Sequence, residues 1–140
     1  WQNIIVSNTA YLKKDIEAKS TLSLMTRVVS LIEEQEGYVA GKTQVALIGK
    51  NELFTPISGF EKISNLTGMD QNTPITYYST YASYFKYVLN YPIVLCDNSI
   101  MEELKTKKEI MNLSIFPNKD CSCMVDDILV VKIGEDIIEK

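Results

Sequence analysis

Val45-Ala46-Leu47-Ile48 is an unbroken apolar run held between Gly41-Lys42 and Gly49-Lys50. A strand with one wet face alternates apolar and polar side chains. A run with no polar position belongs to a strand covered on both faces, as in a parallel α/β sheet. Ile128-Leu-Val-Val-Lys-Ile133 is the strongest strand signal in the chain. The expected fold class is therefore α/β: a small, largely parallel short sheet that includes Val45–Ile48 and Ile128–Ile133. Three or more helices should pack on it, one of them long and N-terminal.

That long helix is expected from about Asn3 to Glu36. In its second half Leu22, Leu24, Met25, Val28, Val29, Leu31 and Ile32 fall on one half of a helical wheel. Ser23, Thr26, Arg27, Ser30, Glu33 and Glu34 take the other half, and Gly37 supplies a stop. In the first half Ile5, Leu12 and Ile16 lie on a different side from Ile4, Tyr11 and Ala18, so this part calls for a second covering surface. Ile75 to Asn90 reads as a tyrosine-rich helix ended by Pro92. Within it Tyr77, Tyr81, Tyr84 and Phe85 share a face at i, i+4, i+7 and i+8. Ser99-Ile-Met-Glu102 has the form of a capping box. Glu102 and Glu103 at the start, with Lys105, Lys107 and Lys108 at the end, suit the dipole of a helix over Ser99–Lys108. Asn51–Pro74 holds most of the turn chemistry and reads as a long irregular connection, with one helical turn near Phe60–Leu66. Phe116-Pro117-Asn118 marks a break before the last strand.

The 140 residues suit a single domain, 1–140, with one core. Fourteen basic against eighteen acidic residues leave a net charge of −4, which argues against nucleic acid as a partner. The sequence contains no histidine, so Ser-His-Asp and Cys-His catalysis and imidazole-based metal sites are excluded. Its longest charge-free stretches, up to Phe85 and over Tyr87–Cys96, are rich in Asn, Thr, Ser and Tyr, unlike a bilayer span. The opening on Trp1 suggests a start inside a longer gene product. A Trp just outside a membrane helix, in the interfacial belt, is one origin for it.

Three constellations could carry chemistry. Tyr77, Tyr78, Tyr81 and Tyr84 could bind a ligand, stacking on sugar rings and donating phenolic hydrogen bonds, or could form a half-buried core face. Cys96 could bridge to Cys121 or Cys123 in an oxidising space, the alternative being three unreactive thiols. Asp120, Asp126 and Asp127 could hold a cation or act as an acid/base pair, but their spacing matches no calcium loop and favours solvated turn acids. Gly41-Lys42 and Gly49-Lys50 belong to no phosphate-binding pattern. Asn65-Leu-Thr67 and Asn112-Leu-Ser114 match the glycosylation sequon, which matters only in a eukaryotic secretory setting. No cofactor, metal centre or catalytic residue is expected.

Taken in order, Asn8-Thr-Ala-Tyr-Leu-Lys-Lys-Asp15, Thr21-Leu-Ser-Leu-Met-Thr-Arg-Val-Val-Ser-Leu-Ile32, Val45-Ala-Leu-Ile-Gly49, Phe116-Pro117 and Asp127-Ile-Leu-Val-Val-Lys-Ile133 resemble the C-terminal part of the glucosyltransferase II family. Members of that family are polytopic bacterial membrane proteins that move glucose from a polyprenyl-phosphate carrier to a cell-surface glycan. The resemblance implies a soluble extracytoplasmic domain of a larger membrane protein. Its partners would be the membrane-embedded part of the same chain and an acceptor glycan. Catalytic acids would sit in the membrane portion, so none is carried onto this sequence. The competing expectation is a protein-interaction module that docks on its own membrane domain or on a partner, with no ligand of its own. That module would use an apolar patch along Ile5, Leu12 and Ile16.

Overall fold

A computed structural model describes residues 2–49 and 78–135. They form α1 (Gln2–Glu33), β1 (Gln44–Ile48), α2 (Tyr78–Tyr87), β2 (Val94–Leu95), α3 (Asn98–Lys105), α4 (Lys108–Met111), β3 (Ser122–Val125) and β4 (Ile128–Lys132). Where the composition suits one domain, the chain gathers into two compact units. One contains Trp1–Arg27, and the other contains Val28–Asn51 and Ile75–Lys140. The connection expected over Asn51–Pro74, with its Phe60–Leu66 turn, lies outside the described residues.

In the second unit the strands form one sheet in the order β2-β1-β4-β3. β1 runs parallel to both β2 and β4, while β3 and β4 form an antiparallel hairpin. The fold is α/β with a mostly parallel, mixed sheet, and β1 and β4 are its central strands. Their sequences explain that position. Val45, Ala46, Leu47 and Ile48 are all buried, as are Leu129, Val130 and Val131, so neither strand has a polar side to give to water.

Alternation assigns Ala46, Ile48 and Val130 to one face, where they form a cluster with Cys96, Leu104, Ile110 and Val125. α3 and α4 cover that face with Leu104 and Ile110, helped by the half-buried Ile100, Met101 and Leu113. Val45, Leu47, Leu129 and Val131 point the other way and are equally buried. The unit's remaining large buried side chains come from Val28 and Ile32 of α1 and from Tyr81 and Phe85 of α2. Each such burial contributes about 1.5–3 kcal/mol before entropy is counted.

Three boundaries differ from expectation. α1 ends at Glu33, three residues early, and the chain reverses through Gly37 at φ +83°. Ser99 is not a cap. The N-cap is Asp97, α3 already includes Asn98 and Ser99, and no side chain closes the box. α3 also stops at Lys105, where Thr106 Oγ1 donates to the Glu103 carbonyl. Lys107 and Lys108 therefore open α4 rather than close α3. The expected helix was one amphipathic pattern, but two short helices bend that pattern over the sheet and bring both Leu104 and Ile110 into the core.

Within the first unit α1 buries Ala10, Thr21, Leu24 and Met25. Leu22, on the expected apolar half, is 45% exposed instead. Ile4, Tyr11, Ala18 and Leu22 recur on one side of the helix and all face solvent. Of the expected docking patch, Leu12 is exposed and Ile16 half-buried, and the Ile5 side chain lies outside the described residues.

Candidate functional site

The strand ends decide where polar groups gather. β1 and β4 start in register, Gln44 opposite Ile128. The residues before them, Lys42-Thr43 and Asp126-Asp127, therefore come side by side at the amino ends of the two central strands. Asp126 and Asp127 form the whole two-residue link between Val125 and Ile128, which pair across the hairpin. Both adopt left-handed backbone, φ 50° and 63°, as a type I′ hairpin turn requires. Asp tolerates that region better than most residues because its short side chain can bond locally.

Val39, Lys42, Thr43, Gln44, Asp126, Asp127 and Ile128 line a solvent-open hollow of about 480 Å³ at this corner. The Val39–Thr43 loop is tied to itself: the Val39 amide donates to Thr43 Oγ1 at 2.9 Å, and the Thr43 amide donates to the Val39 carbonyl at 2.9 Å. Gly41, at φ +72°, supplies the left-handed backbone on which the loop turns. Nearby in sequence, the Tyr91 hydroxyl donates to the Tyr38 hydroxyl at 3.2 Å, and the Tyr91 ring lies 6.4 Å from that of Phe85. Burial first, then the Tyr38 bond and the charge of Glu33, push the Tyr91 phenol above its ordinary range. On the other side of the hairpin Lys107 Nζ pairs with the Asp126 carboxylate, which raises the lysine pKa.

The sequence-expected tyrosine site is only partly brought together. Tyr81 is 6% exposed, its hydroxyl has no hydrogen-bond partner among the described residues, and burial pushes its pKa up to about 12. It belongs to the core with Phe85. Tyr84 is half-buried, with its pKa also raised by burial. Tyr77 lies outside the described residues, as does the side chain of Tyr78. Among the described side chains of α2 the exposed aromatic is Tyr87, with Lys86 Nζ 5.0 Å from its ring centre.

The cysteine bridge is ruled out by register. The Cys96 amide donates to the Val45 carbonyl, extending the β2 ladder so that Cys96 falls opposite Ala46, Ala46 opposite Val130, and Val130 opposite Cys123. Three strand spacings of about 4.8 Å put Cys96 about 14 Å from Cys123. A disulfide needs Cα atoms within roughly 7 Å. Cys121, its carbonyl bonded by the Lys132 amide, continues β3 on that same far edge. All three thiols are free, and burial raises the pKa of each. Among the described residues no group of three His, Cys, Asp or Glu side chains could hold a metal ion, and no helix is long and apolar enough to cross a membrane.

No family model, curated protein or solved structure matches the chain. The hollow is a candidate site that sequence reasoning missed. Its signal was the pairing of Gly41-Lys42-Thr43 before one central strand with Asp126-Asp127 before the other. That signal became legible only when the strands were known to be parallel and adjacent.

Proposed function

We propose that this chain is an extracytoplasmic accessory domain of a bacterial membrane glucosyltransferase, which transfers glucose from a polyprenyl-phosphate carrier to a cell-surface glycan. The domain assists acceptor recognition, and transfer takes place in the membrane-embedded part of the same chain. One observation carries the reading. The two strand segments that resemble the glucosyltransferase II family, Val45–Gly49 and Asp127–Ile133, contain neighbouring central strands, paired from Val45 opposite Leu129 to Ile48 opposite Lys132. Segments far apart in the sequence thus build one structural unit, and a hydrogen-bonding hollow opens at their shared end.

The test is a replacement in cells that carry the intact gene. Exchanging this domain for a flexible linker of similar reach should remove glucose from the surface glycan while polyprenyl-linked glucose still accumulates. Unchanged glucosylation of the surface glycan would overturn the reading.

The exposed apolar side of α1, with Ile4, Tyr11 and Leu22, supports the second reading, a module that docks on protein and binds no ligand. Under that reading, Tyr11→Asp would abolish transfer in the same cells, and the isolated chain would bind no saccharide.

A further inference from the structure

We infer that the hollow at the amino ends of β1 and β4 binds a saccharide, and that it selects a neutral sugar over a phosphorylated one. The inference rests on the acceptor-recognition reading and narrows it: the hollow takes the neutral glycan and turns away the anionic donor carrier.

The lining supplies the two kinds of surface that a pyranose ring presents. Val39 and Ile128 form an aliphatic wall against which the C–H face of a ring can lie. Around it stand the Asp127 carboxylate, the Gln44 amide, the Thr43 hydroxyl and the Lys42 ammonium. A sugar hydroxyl both donates and accepts, so it can give its proton to Asp127 while it accepts from Lys42 or Gln44. Among the described residues none pairs with the side chains of Lys42, Gln44 or Asp127, and all three are exposed. They can turn to a ligand without breaking an existing bond. The volume, about 480 Å³, is within the range of small-molecule sites, and the open mouth suits a unit within a longer chain of sugars.

Charge decides the selectivity. The Asp126 carboxylate is paired with Lys107, on the α4 side of the hairpin. This leaves Lys42 and Asp127 as one positive and one negative group in the hollow, with no net attraction for an anion. A phosphate would also meet the unpaired Asp127 carboxylate at close range and approach a chain of net charge −4. A neutral sugar meets neither penalty.

The experiment is a titration of the isotope-labelled 140-residue chain, followed amide by amide by NMR. The probes are a panel of neutral bacterial-type oligosaccharides built from glucose, galactose, rhamnose and N-acetylglucosamine, and, separately, glucose 1-phosphate. Expected are weak, saturable shifts at Val39, Lys42–Gln44 and Asp126–Ile128 with a neutral member of the panel, and no saturation with glucose 1-phosphate. Asp127→Asn and Lys42→Gln should each weaken binding roughly tenfold, the effect of one charge-assisted hydrogen bond. Asn accepts left-handed backbone, so the hairpin stays folded in Asp127→Asn, and its undisturbed spectrum elsewhere verifies this.

Saccharide shifts confined to α2, with Asp127→Asn binding as the unaltered chain does, would overturn this site while leaving acceptor recognition in place. Failure of every neutral probe to bind at millimolar concentration would overturn the site outright. Acceptor recognition would then stand or fall on the transfer measurement in cells. Stronger binding of glucose 1-phosphate than of any neutral sugar would overturn the selectivity.

Discussion

Tyr81→Phe removes one oxygen atom from the buried side of α2. In the folded chain that hydroxyl has no hydrogen-bond partner among the described residues, and its residue is 6% exposed. Stripping water from an unpartnered hydroxyl costs about 1–3 kcal/mol. The dispersion attraction of that one oxygen for its neighbours offsets only a few tenths of a kcal/mol. The variant should therefore be more stable by about 1 kcal/mol at neutral pH, a rise of roughly 3–5 °C in Tm for a chain of this length. A second consequence is alkaline. Folding raises the Tyr81 pKa from 10.0 to about 12, so the folded state holds the phenolic proton more tightly than the unfolded state does. The stability linked to this proton is fully present below pH 10 and is lost as pH rises through 12. Two pKa units correspond to about 3 kcal/mol, so the unaltered chain should lose about that much more than Tyr81→Phe between these limits. Urea unfolding followed by circular dichroism at pH 7, 10, 11 and 12 reads both effects. A variant destabilised at pH 7 would mean that the hydroxyl has a partner, and one with the same alkaline loss would mean that water reaches it; either result would refute the reasoning.

Gly49→Ala should cost more than about 2 kcal/mol in the same unfolding measurement, because its Cβ would lie 1.9 Å from the Gly134 carbonyl oxygen at φ +90°. Gly37→Ala, at φ +83° with nothing within 4 Å, should cost only the backbone penalty of about 1–2 kcal/mol. Ile110→Ala empties a site in the cluster beneath α4 and should cost about 2–5 kcal/mol, against less than about 0.5 kcal/mol for its exposed neighbour Met111. A thiol reagent at pH 8 should label Cys123 before the buried Cys96 and Cys121, and should label all three after denaturation. A difference in mobility between reduced and non-reduced chain at the monomer position would contradict the register that separates Cys96 from Cys123.

How much of this was legible in the sequence depends on length and on locality. Val45–Ile48 and Ile128–Ile133 were readable as central strands because burial on both faces leaves its mark on every residue. α1 was readable from the apolar periodicity of its second half, Leu24 to Ile32, whereas its first half shows no single apolar side. β2 has only Val94 and Leu95, too short for any period to show. β3, Ser-Cys-Met-Val, has a weak strand composition, and its turn is Asp-Asp rather than the Asn-Gly that announces a hairpin. The capping box failed for a different reason. Ser99 and Glu102 have the required spacing, but the chain leaves β2 at Leu95 and must turn at once to lay Leu104 over Ala46, which draws the helix start back to Asn98. The tyrosines were ambiguous for the same cause. Spacing places Tyr81, Tyr84 and Phe85 on one face but does not say whether that face is wet, and it is the core that takes Tyr81 and Phe85.

The aspartates show how sequence neighbours come to different work. Asp126 and Asp127 are adjacent, identical and equally solvent-facing, and both are held in left-handed backbone. In a hairpin turn successive side chains diverge, so each meets a different neighbour. Asp126 reaches Lys107, the residue that caps α4, and joins the hairpin to the helix covering one face of the sheet. Being exposed, that pair contributes little to stability, and salt should weaken it further. Asp127 lies beside the loop that precedes β1 and lines the hollow without a partner of its own among the described residues. Asp126→Asn should therefore lower stability slightly and weaken saccharide binding less than Asp127→Asn does, while Asp127→Asn should leave stability unchanged. If the two variants gave the same pattern, the carboxylates would be acting as one acidic turn, and the division between structure and recognition at this corner would be wrong.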